Sequence, residues 1–207
     1  KTVRRQRQMC IRDRLNTNVK FFAKFVYKFI KFKNLRDVII LGNSLGGHVG
    51  LIFSKLYPKL IKGLVLTGSS GLYENSMGDS YPKREDYNYI KERTEAVFFD
   101  PKIATKEIVD EVYKTVNDRK KLIKILAMAK SAIRHNMSND LPHILAETAI
   151  IWGENDSVTP PEVADEFKKL LPNSQLFWIE NCGHAPMMEH PEKFNSVMNS
   201  WLKEKKL

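Results

Sequence analysis

Apolar and polar positions along this 207-residue chain fall into two alternating kinds of run. Short, β-rich apolar stretches at 38–41, 63–67, 148–152 and 175–179 read as buried strands, each closed by Gly, Asn, Ser or Glu. Stretches with a 3.6-residue period at 18–33, 48–56, 105–116, 118–132, 159–170 and 191–203 read as helices. Thr159, Pro160 and Glu162 have the pattern of a capping box with proline at the first helical position, and Pro191 opens the last helix with His190 just before it. Strand and helix in alternation predict an α/β fold, a mostly parallel sheet with helices on both faces.

Two segments depart from that alternation. In 18–33, Lys20, Lys24, Lys28 and Lys31 share one helical face, while Phe22, Phe25, Val26, Phe29 and Ile30 form an apolar face. A helix covering one face of the sheet is the expectation, with a membrane-surface helix as the alternative. From Glu74 to about Ala146 the pattern turns polar and helical, which predicts a helical insertion between core strands. Its second long helix carries an apolar stripe of Leu122, Ile125, Leu126 and Met128 or Ala129. Its first half is aromatic, with Tyr73, Tyr81, Tyr87, Tyr89, Phe98 and Phe99 either lining an apolar pocket or packing the insertion on the core.

Candidate chemistry enters at Gly42-Asn43-Ser44-Leu45-Gly46-Gly47. This is a G-x-S-x-G motif with a strand before it and a helix after it, the context of a nucleophile elbow. A strand turning abruptly into a helix strains the central residue and lifts the Ser44 side chain clear of the sheet. The residues two before and two after Ser44 come close together, so Gly42 and Gly46 are expected to be required there. The Leu45 backbone N–H, at a helix N-terminus, would face a developing oxyanion. A nucleophilic serine needs a base and a group to orient it, and an acid followed by a histidine comes later in the sequence. Strand 148–152 runs into Gly153-Glu154-Asn155-Asp156, and strand 175–179 into Glu180-Asn181-Cys182-Gly183-His184. Both ends lie where ligands bind to open parallel sheets.

Ser44, Asp156 and His184 with their surroundings resemble the α/β-hydrolase superfamily. The nearest resemblance is to its cap-bearing serine hydrolases, which include carbon-carbon bond hydrolases of aromatic degradation, small esterases and related acyl hydrolases. The resemblance runs from about Asn18 to Leu202. It implies a core of 15–73 and 147–207 with a helical cap at 74–146, and Ser44 as nucleophile, His184 as base and Asp156 as its partner. It places Asp156 in a G-x-x-D pattern ahead of Glu154, and His184 in a Gly-His pattern ahead of His190, which reads as structural. It also implies an ester or acyl bond of a small, partly apolar substrate, cleaved through an acyl-serine without metal or organic cofactor.

Asn43 matches the Gly-Asn-Ser pattern of the carbon-carbon hydrolases. Those enzymes tend to have Trp after the catalytic histidine, where this sequence has Ala185, and for their cap arginine Arg119 and Arg134 are candidates. Dehalogenases and epoxide hydrolases carry Asp at the nucleophile position, so Ser44 argues against both. A carbon-carbon bond hydrolase, a cofactorless haloperoxidase or perhydrolase, and a catalytically dead or ligand-binding form remain as alternatives. His48 reads as a packing or hydrogen-bonding residue, and His135 and His143 as pocket-lining or water-facing. The family carries several strands and an oxyanion loop, often with His-Gly, before the elbow. Only 43 residues and no histidine precede Ser44, so the N-terminal third, with the second oxyanion donor, is expected to be missing.

Charge changes the picture only at the N-terminus. The formal net charge is +10, but residues 1–36 carry +11 and residues 37–207 carry −1. Met9-Cys10-Ile11-Arg12-Asp13-Arg14 reads as one frame of a mosaic-end sequencing adapter, so 1–14 is expected to be non-native, with a basic arm as the alternative. The neutral body gives no argument for nucleic-acid binding. Lysines in every turn of 18–33 exclude a membrane span there, and no other run approaches 20 apolar residues. Cys10 and Cys182 form no disulfide framework or zinc spacing, which suggests a reducing, cytoplasmic setting. Cys182 as a nucleophile beside His184 is disfavoured, since immediate neighbours rarely point at one another and Ser44 has the elbow.

Overall fold

The computed structural model describes residues 18–74 and 83–207. The 1–14 segment and Tyr81 lie outside the described residues. In sequence order the elements are α1 (Val19–Phe32), β1 (Val38–Asn43), α2 (Leu45–Leu56), β2 (Ile61–Thr67), α3 (Tyr87–Glu95), α4 (Lys106–Asn117), α5 (Arg119–Arg134), β3 (Glu147–Gly153), α6 (Pro161–Leu170), β4 (Ser174–Ile179), α7 (Pro186–Glu189) and α8 (Pro191–Lys205). Short 3₁₀ turns lie at Pro101–Ile103 and Leu141–His143.

The four strands pair in parallel in the order β1-β2-β3-β4. Successive side chains of a strand point to opposite faces, and each face here has its own core. Leu64, Leu66, Ile150 and Trp152 pack with Leu51 and Phe53 of α2, Ala23 of α1 and Phe167 of α6. Val65, Ala149 and Ile151 pack on Phe194 and Trp201 of α8. Burial on both faces is why β2 and β3 read as nearly continuous apolar runs.

Local chemistry sets the helix ends. The Asn18, Asp86, Thr105 and Asp118 side chains accept backbone N–H groups at the starts of α1, α3, α4 and α5. Thr159 does not fill the capping role its spacing suggested. Pro160 occupies the N-cap of α6 without a side-chain bond, and the Thr159 hydroxyl is turned to Asp156. The stripe on α5 turns inward as expected: Leu122 is buried and Ile125, Leu126 and Met128 are half-buried, while Ala129 is exposed, so Met128 rather than Ala129 completes it.

Helix α1 forms with its lysine face exposed, and of its expected apolar face Ile30 is buried and Phe22 and Val26 are half-buried. Val19, Ala23 and Ile30 are buried, against α2 and the end of α5. Phe25 and Phe29 are 61% and 51% exposed, contrary to the expected apolar face. The helix packs sideways against α2, so the residues that face this neighbour are buried. Phe21 and Phe32 extend the outward aromatic stripe, beside the exposed lysines. β1 is an edge strand among the described residues, and Ile39 and Leu41 are exposed on it. Exposed apolar surface on α1 and an unpaired strand edge each favour association. Light scattering over a concentration series should therefore show self-association that F25K/F29K reduces, with little change in melting temperature.

Candidate active site at the strand C-termini

The β1–α2 turn is built around one close approach. A Cβ at Gly42 would stand 2.4 Å from the carbonyl carbon and oxygen of Gly46 and 2.5 Å from the amide nitrogen of Gly47, distances that exclude any side chain. Gly46 has nothing within 4 Å of its own Cβ position. The second steric demand falls instead on Gly47, where a Cβ would meet Ser69 Oγ at 2.3 Å. The expectation for Gly42 thus matches the packing, whereas that for Gly46 moves by one residue, because Gly46 points outward from the turn.

Ser44 has φ 52° and ψ −120°, a strained conformation for a residue with a side chain. It occupies the N-cap position of α2, but its hydroxyl makes no cap bond. Its carbonyl accepts from Gly47, His48 and Ser70 N–H at 3.1, 3.3 and 3.1 Å, and its N–H donates to Thr67 O at 2.9 Å. Leu45 is the first residue of α2, where a backbone N–H has no partner within the helix.

Asp156 and His184 come together although they arise from different strands. His184 Nδ1 lies 2.9 Å from Asp156 Oδ2 and 3.1 Å from Oδ1, with both residues buried. An ionised carboxylate only accepts, so Nδ1 carries the proton and Nε2 is left as an acceptor. Asp156 also accepts from the N–H of Val158 and Thr159 at 2.8 and 2.9 Å and from Thr159 Oγ1 at 2.8 Å. A buried carboxylate so supplied with donors is satisfied without solvent. Thr159 Oγ1 also lies 3.3 Å from His184 Nδ1.

Among the described residues no hydrogen bond joins Ser44 to His184; Asn43 links the two segments instead. Its Nδ2 donates to His184 O at 3.0 Å and to Thr67 O at 3.1 Å. A Cβ at Gly68, which has φ 48°, would stand 2.7 Å from the His184 ring. The elbow, the exit of β2 and the histidine loop therefore meet at one point. The pairwise roles of Asn43 and Thr159 are not legible in the sequence, because a side chain's partner in another loop leaves no periodic signal.

Glu74, half-buried at the end of the β2 exit loop, is a further group near the imidazole. Burial raises its carboxyl above the ordinary 4.5, and the charge of His184 opposes that rise. A cleft of about 480 Å³ lies between this loop and α6, lined by Leu72, Tyr73, Pro160, Glu162, Val163 and Glu166. Ser44 and His184 are not part of that lining.

The remaining candidates are structural or peripheral. His190 Nε2 donates to Asn181 O at 2.9 Å, and His143 is exposed. Arg119 and Arg134 are exposed at opposite ends of α5. Tyr87 stacks edge-on with Tyr113 and its hydroxyl bonds Asp110, so it packs the insertion internally. Burial, with the Glu189 carboxylate beside it, pushes the Cys182 thiol well above its ordinary value and keeps it protonated. No cluster of three or more His, Cys, Asp or Glu side chains is placed to hold a metal among the described residues. None of the described helices is long and apolar enough to cross a membrane.

His48 is fully buried, with Nε2 3.0 Å from His135 Nδ1. Burial, and then the neighbouring His135, lower its pKa from 6.5 to about 4. Lys20, Lys55 and Asp140 also act on His135. Between pH 6.5 and about 4 the unfolded protein binds a proton at His48 that the folded protein does not. Stability is thus complete above pH 6.5 and falls with acidification towards pH 4, by up to ~3 kcal/mol. Denaturant melts across this range should show that loss, and His48→Gln should flatten it.

The glycines give a second expectation. Gly42→Ala should destabilise by ~2–3 kcal/mol or more through overpacking, whereas Gly46→Ala should leave stability within ~1 kcal/mol. Thermal melts of the two variants measure the contrast.

A profile of the α/β hydrolase fold matches residues 6–191. The chain is 30% identical over 190 residues to a 2-hydroxy-6-oxo-6-(2'-aminophenyl)hexa-2,4-dienoic acid hydrolase of Metapseudomonas resinovorans, a match that spans 86% of this chain and 64% of that protein. It is 25% identical over 190 residues to Lipase 1 of Psychrobacter immobilis, a match that spans 79% of this chain and 55% of that protein. It thus spans 55% and 64% of the lengths of these curated relatives. Among solved structures it resembles MGS-MChE2, an α/β hydrolase enzyme from the sediment metagenome of the Mar Chica lagoon, Morocco. That match has a TM-score of 0.73 and 49% identity over 93% of this chain and 73% of the other. The parallel sheet and a profile match that passes through the elbow and both later loops agree, and the chain belongs to the α/β-hydrolase fold family.

Proposed function

We propose that this protein holds the catalytic centre of a serine hydrolase that cleaves an ester or related acyl bond of a small, partly apolar substrate. The observation that carries the reading is the buried Asp156–His184 pair, which leaves Nε2 as an acceptor on a loop that Asn43 ties to the strained Ser44 turn. In this reading His184 Nε2 takes the Ser44 hydroxyl proton as Oγ attacks the carbonyl carbon. The Leu45 N–H stabilises the oxyanion, and Asp156 stabilises the imidazolium. Collapse expels the leaving group with the proton from His184, and water then attacks the acyl-serine by the same route. The helices between β2 and β3 act as a cap that keeps bulk water from the acyl intermediate.

A carbon-carbon bond hydrolase is the second reading, favoured by the name of the Metapseudomonas relative at 30% identity and by the Asn43-Ser44 pair. Substrate screening separates the two, with small esters against 2-hydroxy-6-oxohexa-2,4-dienoic acids of the kind that relative is named for.

Labelling with a fluorophosphonate probe tests the shared nucleophile. The 207-residue protein should be labelled and Ser44→Ala should not, while Asp156→Asn and His184→Asn should slow labelling by on the order of 10²–10⁴. An unlabelled protein that is folded by circular dichroism overturns the reading for this chain.

A further inference from the structure

Glu189 has no part in the chemistry just described, yet its carboxylate joins two distant segments beside the histidine. Oε1 accepts the Gly183 N–H at 2.8 Å and lies 3.7 Å from Cys182 Sγ. Oε2 accepts the N–H of Phe99 at 2.7 Å, from the turn that follows α3 in the helical insertion. The same turn makes two more bonds to the site loops. His184 N–H donates to Val97 O at 3.0 Å, and Ser157 Oγ, next to Asp156, donates to Ala96 O at 3.0 Å. A Cβ on Gly183 would stand 2.7 Å from Val97 O and 2.9 Å from Phe99 N, so glycine lets the two backbones touch.

We propose that Glu189 is a positioning residue that locks the 96–99 turn of the helical insertion onto the His184 loop, so that the insertion and the base move as one body. The inference rests on the reading of Ser44 and His184 as nucleophile and base. Its chemistry is specific to a carboxylate, which accepts at both oxygens. A glutamine offers one oxygen and turns an NH₂ group towards the second backbone N–H. Pro186 starts the short α7 directly after the histidine loop, and its end returns Glu189 beneath the loop that the backbone has just left. Displacing the insertion would then pull at three bonds, directly on the His184 N–H from Val97, on the Gly183 N–H through Glu189 and on the Asp156 loop through Ser157, withdrawing the base from the elbow. In the closed arrangement those bonds hold the base in place, which ties substrate enclosure to competence for attack.

The test combines two readouts on the 207-residue protein, with Glu189→Gln as the isosteric variant and Glu189→Ala as the deeper one. Hydrogen exchange by mass spectrometry reads the lock without requiring activity. The expected result for Glu189→Gln is at least tenfold faster amide exchange in both the 96–100 and the 182–185 segments. Fluorophosphonate labelling reads the consequence: a rate constant at least tenfold lower, with the labelled fraction at completion unchanged. A purely structural role would lower the labelled fraction and leave the rate constant of the folded molecules unaltered, which overturns the inference. Faster exchange in only one segment, or in neither, also overturns it, as does faster exchange with an unchanged labelling rate. If the parent protein is folded but unlabelled, the serine-hydrolase reading fails, and the exchange result alone decides the lock.

Discussion

The close approach of Gly42 to the backbone of Gly46 and Gly47 is the constraint on which the site geometry rests. It lets β1 turn into α2 with one residue between them, and that residue is Ser44. The turn holds Ser44 at positive φ, a strain of order 1–3 kcal/mol that persists only where surroundings over-determine it. Here its carbonyl receives three N–H groups, one of them from Ser70 in the exit loop of β2. The strain of the elbow and the position of the next loop are thus fixed by the same bonds. The hydroxyl is freed from the capping role that serine ordinarily has at this position.

Parallel strands deliver the other partners to the same edge. β3 and β4 are in register at Gly153 and Ile179, so the loops that follow them emerge side by side. Asp156 is drawn into the interior by the N–H groups of Val158 and Thr159 and by the Thr159 hydroxyl, and this donor set sustains a buried carboxylate beside an imidazole. The His184 backbone is held from two sides, by Asn43 at its carbonyl and by Val97 at its N–H. The first tether comes from the elbow and the second from the insertion, so the imidazole is indexed to both bodies that would enclose a substrate.

The opposite extreme of order is the apolar surface around β1. Phe21, Phe25, Phe29 and Phe32 of α1 are exposed on the α2 side of the sheet, and Ile39 and Leu41 of β1 on the α8 face, at an edge that is paired on one side among the described residues. The interior of the sheet carries no such deficit, because β2 and β3 are covered by α2 and α6 on one face and α8 on the other. The well-packed half of the molecule is thus the half that holds the Asp156 and His184 loops.

The sequence by itself determined the strand positions, the strand–Ser44–helix turn and the order Ser44, Asp156, His184. Those features are local: apolar runs, glycine spacing and loop residues past strand ends are written in contiguous residues. Tertiary structure decided which face of α1 is buried, because that depends on α2 as its neighbour. It decided that Gly47 rather than Gly46 bears the second steric demand, since the colliding atom belongs to Ser69 on another strand's loop. It turned Thr159 from a helix cap into a partner of Asp156, and it gave Asn43 and Glu189 their bonds to the histidine loop. Each of these outcomes is a contact between residues far apart in the sequence, and periodicity along one stretch of residues carries no information about what folds against it.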